Sequence, residues 1–144
     1  MNKKLNYFTL ILSVSIFFTG CFASLNQYQP KSVEEEAVIK VVMAHERTWN
    51  EKDAAGFLET FHETAKIELG CDGLFLSKND FATHIPQLMS DYPIVKLVNP
   101  SVDVSEKNAV AKVTSTKMGD ENHIFKIEML NENDQWYIIQ ETCH

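Results

Sequence analysis

The sequence is short of basic residues, and this shortage excludes one class of partner. Only 13 Lys and Arg residues stand against 20 Asp and Glu residues among 144, which gives a net charge of −7. The first 20 residues hold two lysines and no acid, so 11 basic residues remain beyond them and the net charge there is −9. Nucleic-acid binding needs a basic surface, and we therefore expect no nucleic-acid partner.

Motifs of cofactor and metal chemistry are also missing. Only five glycines occur, and none belongs to a phosphate-binding loop. There is no His-Glu-x-x-His or Cys-x-x-Cys motif, and the spacing of Cys71, Cys143 and His144 is not diagnostic of a metal site. We predict no cofactor and no metal in a chain whose length suits a single domain.

The N-terminus carries an apolar run that is too short to span a membrane. Residues 8–18 (FTLILSVSIFF) make a run of 11, whereas a spanning helix needs about 20 residues. Lys3 and Lys4 precede the run, and the small residues Thr19 and Gly20 follow it. This order is typical of a secretory signal peptide, which we assign to residues 1–20.

The end of this run resembles the lipobox of bacterial lipoproteins. It reads Phe18-Thr19-Gly20-Cys21, with Phe18 where the family usually has Leu. The resemblance implies cleavage after Gly20 and a membrane anchor through lipid on Cys21. Phe22 instead of Asp after the cysteine implies the outer membrane, facing the periplasm, in a Gram-negative cell. The alternative is an ordinary cleaved signal in which Cys21 has no such role.

Residues 21–31 are interpreted as the lipidated cysteine and a flexible tether, because they mix Ser, Asn, Gln and Pro without periodicity. The domain then covers residues 32–144. Ser32-x-x-Glu35 predicts a capping box, and the following apolar spacing predicts a helix from about Val33 to Asn50. Asp53 is expected to cap a second helix.

The second helix is expected to carry Phe57, Leu58 and Phe61 at core spacing and to end at His62. Alternating residues predict strands at 65–70 and 74–76, a helix from Lys78 interrupted by Pro86, and then a meander of strands to the C-terminus. This order predicts an α+β fold with the helices on one face of a curved sheet.

The same stretch resembles the nuclear transport factor 2-like superfamily, including its SnoaL-like members. The matching residues are Trp49-Asn50-x-x-Asp53 between the first helices, Phe57-Leu58-x-x-Phe61 with Ala65, and the terminal Trp136-Tyr137-Ile138-Ile139. The resemblance runs from Ser32 to the C-terminus. It implies a cone, with N-terminal helices packed on a curved, mixed and mainly antiparallel sheet.

The resemblance also implies a ligand pocket between the helices and the concave sheet. Its expected lining residues are Trp49, Phe57, Phe61, Met89, Phe125 and Trp136, which would equally well fill a core. His45 shares a helical face with Trp49 and is the candidate catalytic or ligand-anchoring residue, the alternative being a buried histidine bonded to backbone. Gln140 is in phase with Trp136 and is expected to point into the same pocket.

Ketosteroid isomerases of this superfamily use a carboxylate base and a tyrosine. Matching through Asn50, Asp53 and Ala65 places the base at Leu69 and the tyrosine at His45, so neither role is preserved. A different chemistry could pair His45 with Glu68, but strand alternation turns Glu68 away from the face that holds Leu69.

The superfamily resemblance bears on the cysteines too. It implies that the first and last long strands are parallel neighbours, with Cys71 after the first and Cys143 at the end of the last. With Cys21 lipidated, these two form an even pair in an exported domain, and we expect a disulfide between them. The alternative is a reduced, inert pair.

Together these patterns predict an exported, lipid-anchored, single-domain protein that binds a small apolar ligand or a protein partner without catalysis. Two alternatives stay open. One is an isomerase, dehydratase or cyclase type of enzyme with His45 as base. The other is an interaction module that forms a homodimer through the outer sheet face, where alternation from Trp136 places Tyr137, Ile139 and Glu141.

Overall fold

The structure, a computed structural model, describes residues 23–116 and 122–144, so the predicted signal peptide and Cys21 lie outside the described residues. The helices are α1 (Val33–Asn50), α2 (Ala54–Glu59), α3 (Lys78–Ala82) and α4 (Ile85–Asp91). The strands are β1 (Phe61–Leu69), β2 (Leu74–Ser77), β3 (Leu97–Ser105), β4 (Asn108–Ser115), β5 (His123–Glu132) and β6 (Gln135–Cys143).

The six strands form one sheet in the order β2-β1-β6-β5-β4-β3. β1 pairs with β6 in parallel, and every other neighbouring pair is antiparallel. The helices pack on one face of this sheet, where α1 contacts β3, β4 and β6. The predicted α+β class, with a mixed and mainly antiparallel sheet, is confirmed. No helix within residues 23–116 and 122–144 is both long and apolar enough to cross a membrane.

Helix α1 begins where the sequence predicts. The Ser32 hydroxyl accepts a hydrogen bond from Glu35 N–H at 3.1 Å, which satisfies one of the free donors of the first turn. The second half of the predicted capping box is wrong, because the Glu35 carboxylate accepts from Lys31 N–H and from the Tyr28 hydroxyl. The Lys31 N–H is the main cause that holds the pKa of Glu35 below its usual value.

Residues 23–25 dock on the sheet, at the start of the segment that the sequence predicts to be a flexible tether. Ser24 forms an antiparallel bridge with Val98, and Asn99 N–H donates to Ala23 O at 2.7 Å. The side chain of Leu25, in a short 3-10 helix, is buried in the core. Unpaired backbone groups on the edge strand β3 supply these partners, and no local pattern in the segment reveals them.

The turn between α1 and α2 is built by the predicted Asp53 cap. The Asp53 carboxylate accepts from Gly56 N–H at 2.9 Å, and α2 then buries Phe57. A Cβ on Gly56 would lie 2.2 Å from Asp53 Oδ2, so only glycine leaves room for this cap. Gly56 weakens α2 because glycine has a low helix propensity. It is nevertheless required by the turn.

Helix α2 is shorter than expected, and Phe61 and His62 belong to β1 instead. Thr60 ends the helix, and its carbonyl accepts from Ile138 N–H of β6 at 2.9 Å. This contact with the last strand draws the chain into the sheet earlier than local spacing suggests. His62 consequently lies beside Glu132 and Tyr137 of the neighbouring strands, not at a helix terminus.

The third predicted helix is split in two, as its proline indicates. Ser77 caps α3 by accepting from Asp80 N–H at 3.1 Å. Pro86 falls in the first turn of α4, where its missing N–H removes no helical hydrogen bond. Tyr92 ends α4 directly before Pro93.

A disulfide joins Cys71 to Cys143, as the superfamily resemblance implies, with the two Cα atoms 4.9 Å apart. Cys71 follows β1 and Cys143 ends β6, so the parallel pairing of these strands brings both residues to one end of the sheet. The bond ties the last strand to the β1–β2 turn.

The double substitution Cys71→Ser/Cys143→Ser should lower the free energy of unfolding by about 4 kcal/mol, because the bond closes a loop with a sequence separation of 72. Urea unfolding followed by circular dichroism measures the change. A dithiol reductant should destabilise the unmodified protein by the same amount and leave the double variant unchanged. Two free thiols in the unreduced protein, detected by mass spectrometry, would contradict the bond.

The substitution Gly56→Ala should destabilise the protein by about 1 kcal/mol, because the new methyl group displaces the Asp53 cap. In an Asp53→Ala background the same substitution should cost far less or stabilise α2, since alanine is the better helix former. Chemical unfolding of all four proteins tests this coupling. Equal costs in both backgrounds would show that the cap is not what excludes alanine.

Candidate functional site

A partly enclosed cavity of about 330 Å³ lies between the helices and the concave face of the sheet. It opens at the end of the sheet where β1 and β6 end and where β3 and β5 begin, which we call the mouth end. Most of its wall is apolar, formed by Trp49, Phe57, Leu69, Phe81, Leu88, Val95, Leu97, Phe125 and Ile127. The polar lining comprises His45, Glu46, Glu68, His123 and Glu141.

Four of the residues predicted for the pocket line this cavity: His45, Trp49, Phe57 and Phe125. The others do not. Trp136 starts β6 at the opposite end of the sheet, and Phe61 and Met89 are buried in the core next to the cavity without reaching its surface. Aromatic and apolar spacing identifies buried residues, but it does not distinguish a filled core from a cavity wall.

Gln140 is absent from the wall because a β-bulge changes the phase of β6. Glu128 of β5 pairs with Gln140, but the next residue, Met129, pairs with Ile138, so Ile139 has no partner. Before the bulge Trp136 and Ile138 face the helices, and after it Glu141 does. The predictions that Gln140 faces inward and Glu141 faces outward are both corrected by this one extra residue.

The bulge places the carboxylate of Glu141 in an apolar row. Glu141 pairs with Ile67 on β1 and with Ile127 on β5, and both isoleucines are almost completely buried. Directly paired residues share one face of a sheet, so the carboxylate stands between two isoleucine side chains. Its Oε2 atom is buried and has no hydrogen-bond partner among the described residues. Such a group needs a nearby proton or positive charge.

His45 of α1 supplies that partner. Its Nε2 lies 3.1 Å from Glu141 Oε2, an ion-pair distance, although the contact does not have the geometry of a hydrogen bond. On the other side of the ring, Nδ1 lies 3.0 Å from the Thr60 hydroxyl, which itself lies 2.7 Å from Phe57 O. The Phe57 ring packs on the imidazole with the ring centroids 4.2 Å apart.

The position of the ring proton depends on the Thr60 hydroxyl. If the hydroxyl donates to Phe57 O, it accepts from Nδ1–H, and the lone pair of a neutral imidazole is at Nε2. If the hydroxyl donates to Nδ1 instead, the ring proton is on Nε2, the nitrogen nearer to Glu141. The pair can therefore exchange a proton or a hydrogen bond with a ligand in the cavity.

Glu68 also lines the cavity, which corrects its predicted outward orientation. Its two oxygens accept from Gly73 N–H at 2.6 Å and from Cys143 N–H at 2.9 Å. The carboxylate is thus held by the turn after β1 and by the end of β6. These bonds support the mouth of the cavity and place Glu68 apart from His45, so the pairing considered from the sequence is not formed.

The wall beside α4 is tied to the end of α1 by the Trp49-Asn50 pair. Trp49 Nε1–H donates to Tyr92 O at 2.8 Å, and the Asn50 amide bonds both N–H and C=O of Val95 at 2.8 Å. These hydrogen bonds hold the backbone of Tyr92 and Val95 against the end of α1. No side chain has to fill the space below this backbone to keep it in place. The motif therefore keeps the cavity open.

Two positions at which the sequence predicts no catalytic base and no metal site also lie at the cavity. Leu69, at the position of the isomerase base, lines the cavity with an apolar side chain. Cys71, Cys143 and His123 come together at the mouth, with His123 Nδ1 3.8 Å from Cys71 Sγ. Both sulfur atoms belong to the disulfide and are not thiolate ligands for a metal.

Several solved structures share the fold. An NTF2-like protein of unknown function from Shewanella baltica has a TM-score of 0.67 and 14% identity over 81% of this chain and 97% of its own. An NTF2-like protein of unknown function from Pseudomonas putida has a TM-score of 0.67 and 14% identity over 76% and 84%. A cystatin-like-fold protein of unknown function from Nostoc punctiforme has a TM-score of 0.66 and 12% identity over 81% of this chain and 93% of its own.

No protein-family model matches the chain, and no curated protein matches it. The structural similarity therefore assigns the fold and leaves the activity to be argued from the site. The protein has the nuclear transport factor 2-like fold, and the carboxylate that lies next to His45 in its cavity comes from the last strand.

The substitution Glu141→Ala should lower the free energy of unfolding by about 2 kcal/mol or more, because it leaves His45 without its buried partner. The matched control is Gln140→Ala, one residue earlier in the strand but on the outer face, which should cost less than about 0.5 kcal/mol. Urea unfolding measures both. The reverse order of costs would show that β6 has no bulge at Ile139.

Proposed function

We propose that this chain is an exported, lipid-anchored, non-catalytic protein that binds a small, mainly apolar ligand in the cavity beside His45 and Glu141. The observation that carries the proposal is an open apolar cavity whose wall contains one deeply placed polar pair. Ligand pockets commonly combine these two features, the apolar wall for affinity and the polar groups for orientation. The N-terminal lipobox-like pattern supports the export and the anchor on Cys21.

The size of the cavity restricts the ligand. Its volume of about 330 Å³ is roughly twice that of an engineered 150 Å³ cavity that accepts benzene. A medium-length alkyl chain or a small fused-ring compound is the matching class. A protein partner would need a surface, and this concave site does not offer one.

The charges of the lining restrict the ligand further. Three glutamates, Glu46, Glu68 and Glu141, line the cavity together with two histidines. An anionic ligand would meet at least one of these carboxylates in a poorly screened environment, where like charges about 6 Å apart cost ~3 kcal/mol. A neutral hydroxyl can donate to Glu141 and accept from His45. The expected ligand is therefore neutral or cationic.

One observation favours the enzyme alternative as a second candidate. An imidazole and a carboxylate 3.1 Å apart at the cavity wall are groups that general acid–base catalysis uses, and Thr60 fixes the orientation of the ring. An enzyme of the isomerase or dehydratase class would use Glu141, a residue that the superfamily resemblance does not point to. The Glu141→Gln variant separates the two candidates, because it would retain binding and lose turnover.

Decan-1-ol, decylamine and decanoate provide a direct test by isothermal titration calorimetry. We expect the alcohol and the amine to bind and decanoate to bind at least tenfold more weakly, because of the three carboxylates in the lining. The substitution Leu88→Trp should abolish binding by filling the cavity. Val33→Trp, on an exposed surface of α1, is the matched control and should bind normally.

Preferential binding of decanoate, or unchanged binding by the Leu88→Trp protein, would contradict the proposed site. Failure of all three probes to bind would contradict the ligand-binding function for alkyl compounds.

A further inference from the structure

Large apolar side chains that are exposed to solvent are concentrated at one end of the molecule. Among the described residues six such side chains are exposed, and five of them occupy the mouth end. We call these five the mouth rim: Leu74, Phe75, Tyr92, Ile94 and Ile124. The sixth, Val33, starts α1 at the other end of the molecule.

Strand directions place the rim residues around the same opening. Leu74 and Phe75 begin β2, which runs antiparallel to β1 and so starts where β1 ends. Ile124 begins β5, which starts where β6 ends. Tyr92 and Ile94 lie just before β3, which starts at that end too. The rim residues therefore lie at the end of the molecule where the cavity opens, and Leu74 connects the rim to the apolar wall because it pairs with the cavity-lining Leu69.

The N-terminal end of the described chain lies close to this rim. Ala23 is hydrogen-bonded to Asn99, the third residue of β3, and Ala23 N–H donates to the Asn99 side chain at 3.0 Å. Only one residue, Phe22, separates Cys21 from this docked position. Because Ala23 and Ser24 are bound to β3, whatever holds Cys21 or the apolar residues 8–18 in a membrane also holds the mouth end near it.

We propose that the mouth rim rests on a lipid bilayer and that the cavity exchanges its ligand with the membrane. This inference rests on the proposed ligand-binding function and names the source of the ligand, a neutral membrane-soluble amphiphile. A ligand moving between bilayer and cavity would pass the apolar rim without crossing bulk water, which removes most of the cost of exposing an alkyl chain.

The net charge of the chain indicates which headgroup charge the bilayer at the rim should have. The chain beyond residue 20 carries a net charge of −9, so an anionic surface would repel it. Contact by apolar side chains and a tyrosine with a zwitterionic surface meets no such opposition, and these residue types are favoured at the membrane interface. The bilayer expected at the rim is therefore zwitterionic.

Two tryptophans at opposite ends of the molecule make the orientation measurable. Trp49 lines the cavity and its indole donates to Tyr92 O of the rim. Trp136 begins β6, and the seven residues from there to Cys143 correspond to about 23 Å of strand. A quencher in the bilayer should therefore reach Trp49 and leave Trp136 unaffected when the mouth faces the membrane.

The experiment uses the full chain reconstituted in phosphatidylcholine vesicles whose acyl chains are brominated near the headgroup. With Trp136→Phe, we expect loss of Trp49 fluorescence relative to vesicles of ordinary phosphatidylcholine. With Trp49→Phe, we expect no loss from Trp136. Equal quenching of the two residues, quenching of Trp136 alone, or quenching of neither would overturn the proposed orientation.

Rim variants test the surface itself. The double substitution Ile94→Asp/Ile124→Asp should abolish the quenching of Trp49, whereas Val33→Asp, an exposed apolar residue at the far end, should leave it unchanged. Unchanged quenching in the double variant would overturn the rim as the contact surface.

Decan-1-ol binding from water separates failure of this inference from failure of the proposed function. The rim variant should bind decan-1-ol as the unmodified protein does, which also shows that it is folded. If the unmodified protein binds no decan-1-ol while Trp49 is quenched, the ligand function fails and the membrane contact stands. If the unmodified protein binds decan-1-ol and Trp49 is not quenched, the membrane contact fails and the ligand function stands.

Discussion

The arrangement of the cavity depends on a single unpaired residue in the last strand. Because of the bulge at Ile139, the alternation of inward and outward side chains along β6 shifts by one residue between Ile138 and Glu141. Without it, an amide would face the helices and the carboxylate would face solvent. With it, a buried imidazole and a buried carboxylate lie 3.1 Å apart among apolar side chains. The chemical character of the site is thus a property of strand register more than of residue type.

The features that the sequence predicts well are those decided by local contacts. The cap of α1 at Ser32, the cap of α2 at Asp53 and the split at Pro86 each depend on residues a few positions apart. His45 is found in the cavity because helical spacing puts it on the face of Trp49. The superfamily resemblance adds the parallel strand pair, and with it the disulfide.

The features that the sequence does not predict are decided by contacts between residues far apart in the chain. Phe61 leaves the helix because Thr60 bonds to Ile138, almost 80 residues later in the chain. Ala23 and Ser24 dock on the sheet because the edge of β3 offers them backbone partners. Glu141 changes face because the pairing with β5 shifts by one residue. The two consecutive isoleucines before Gln140 are the only local sign, since Ile139 interrupts a regular alternation of apolar and polar residues.

The parallel pairing of β1 with β6 has a consequence for the order in which the chain can fold. On its other side β1 has only the four-residue strand β2, so its main partner is the last strand to be synthesised. β1 cannot join the rest of the sheet, and the carboxylate cannot meet the imidazole, until the nine residues of β6 are in place. The contacts that complete the site are therefore long-range, and such contacts form slowly because a long stretch of chain must first be brought together.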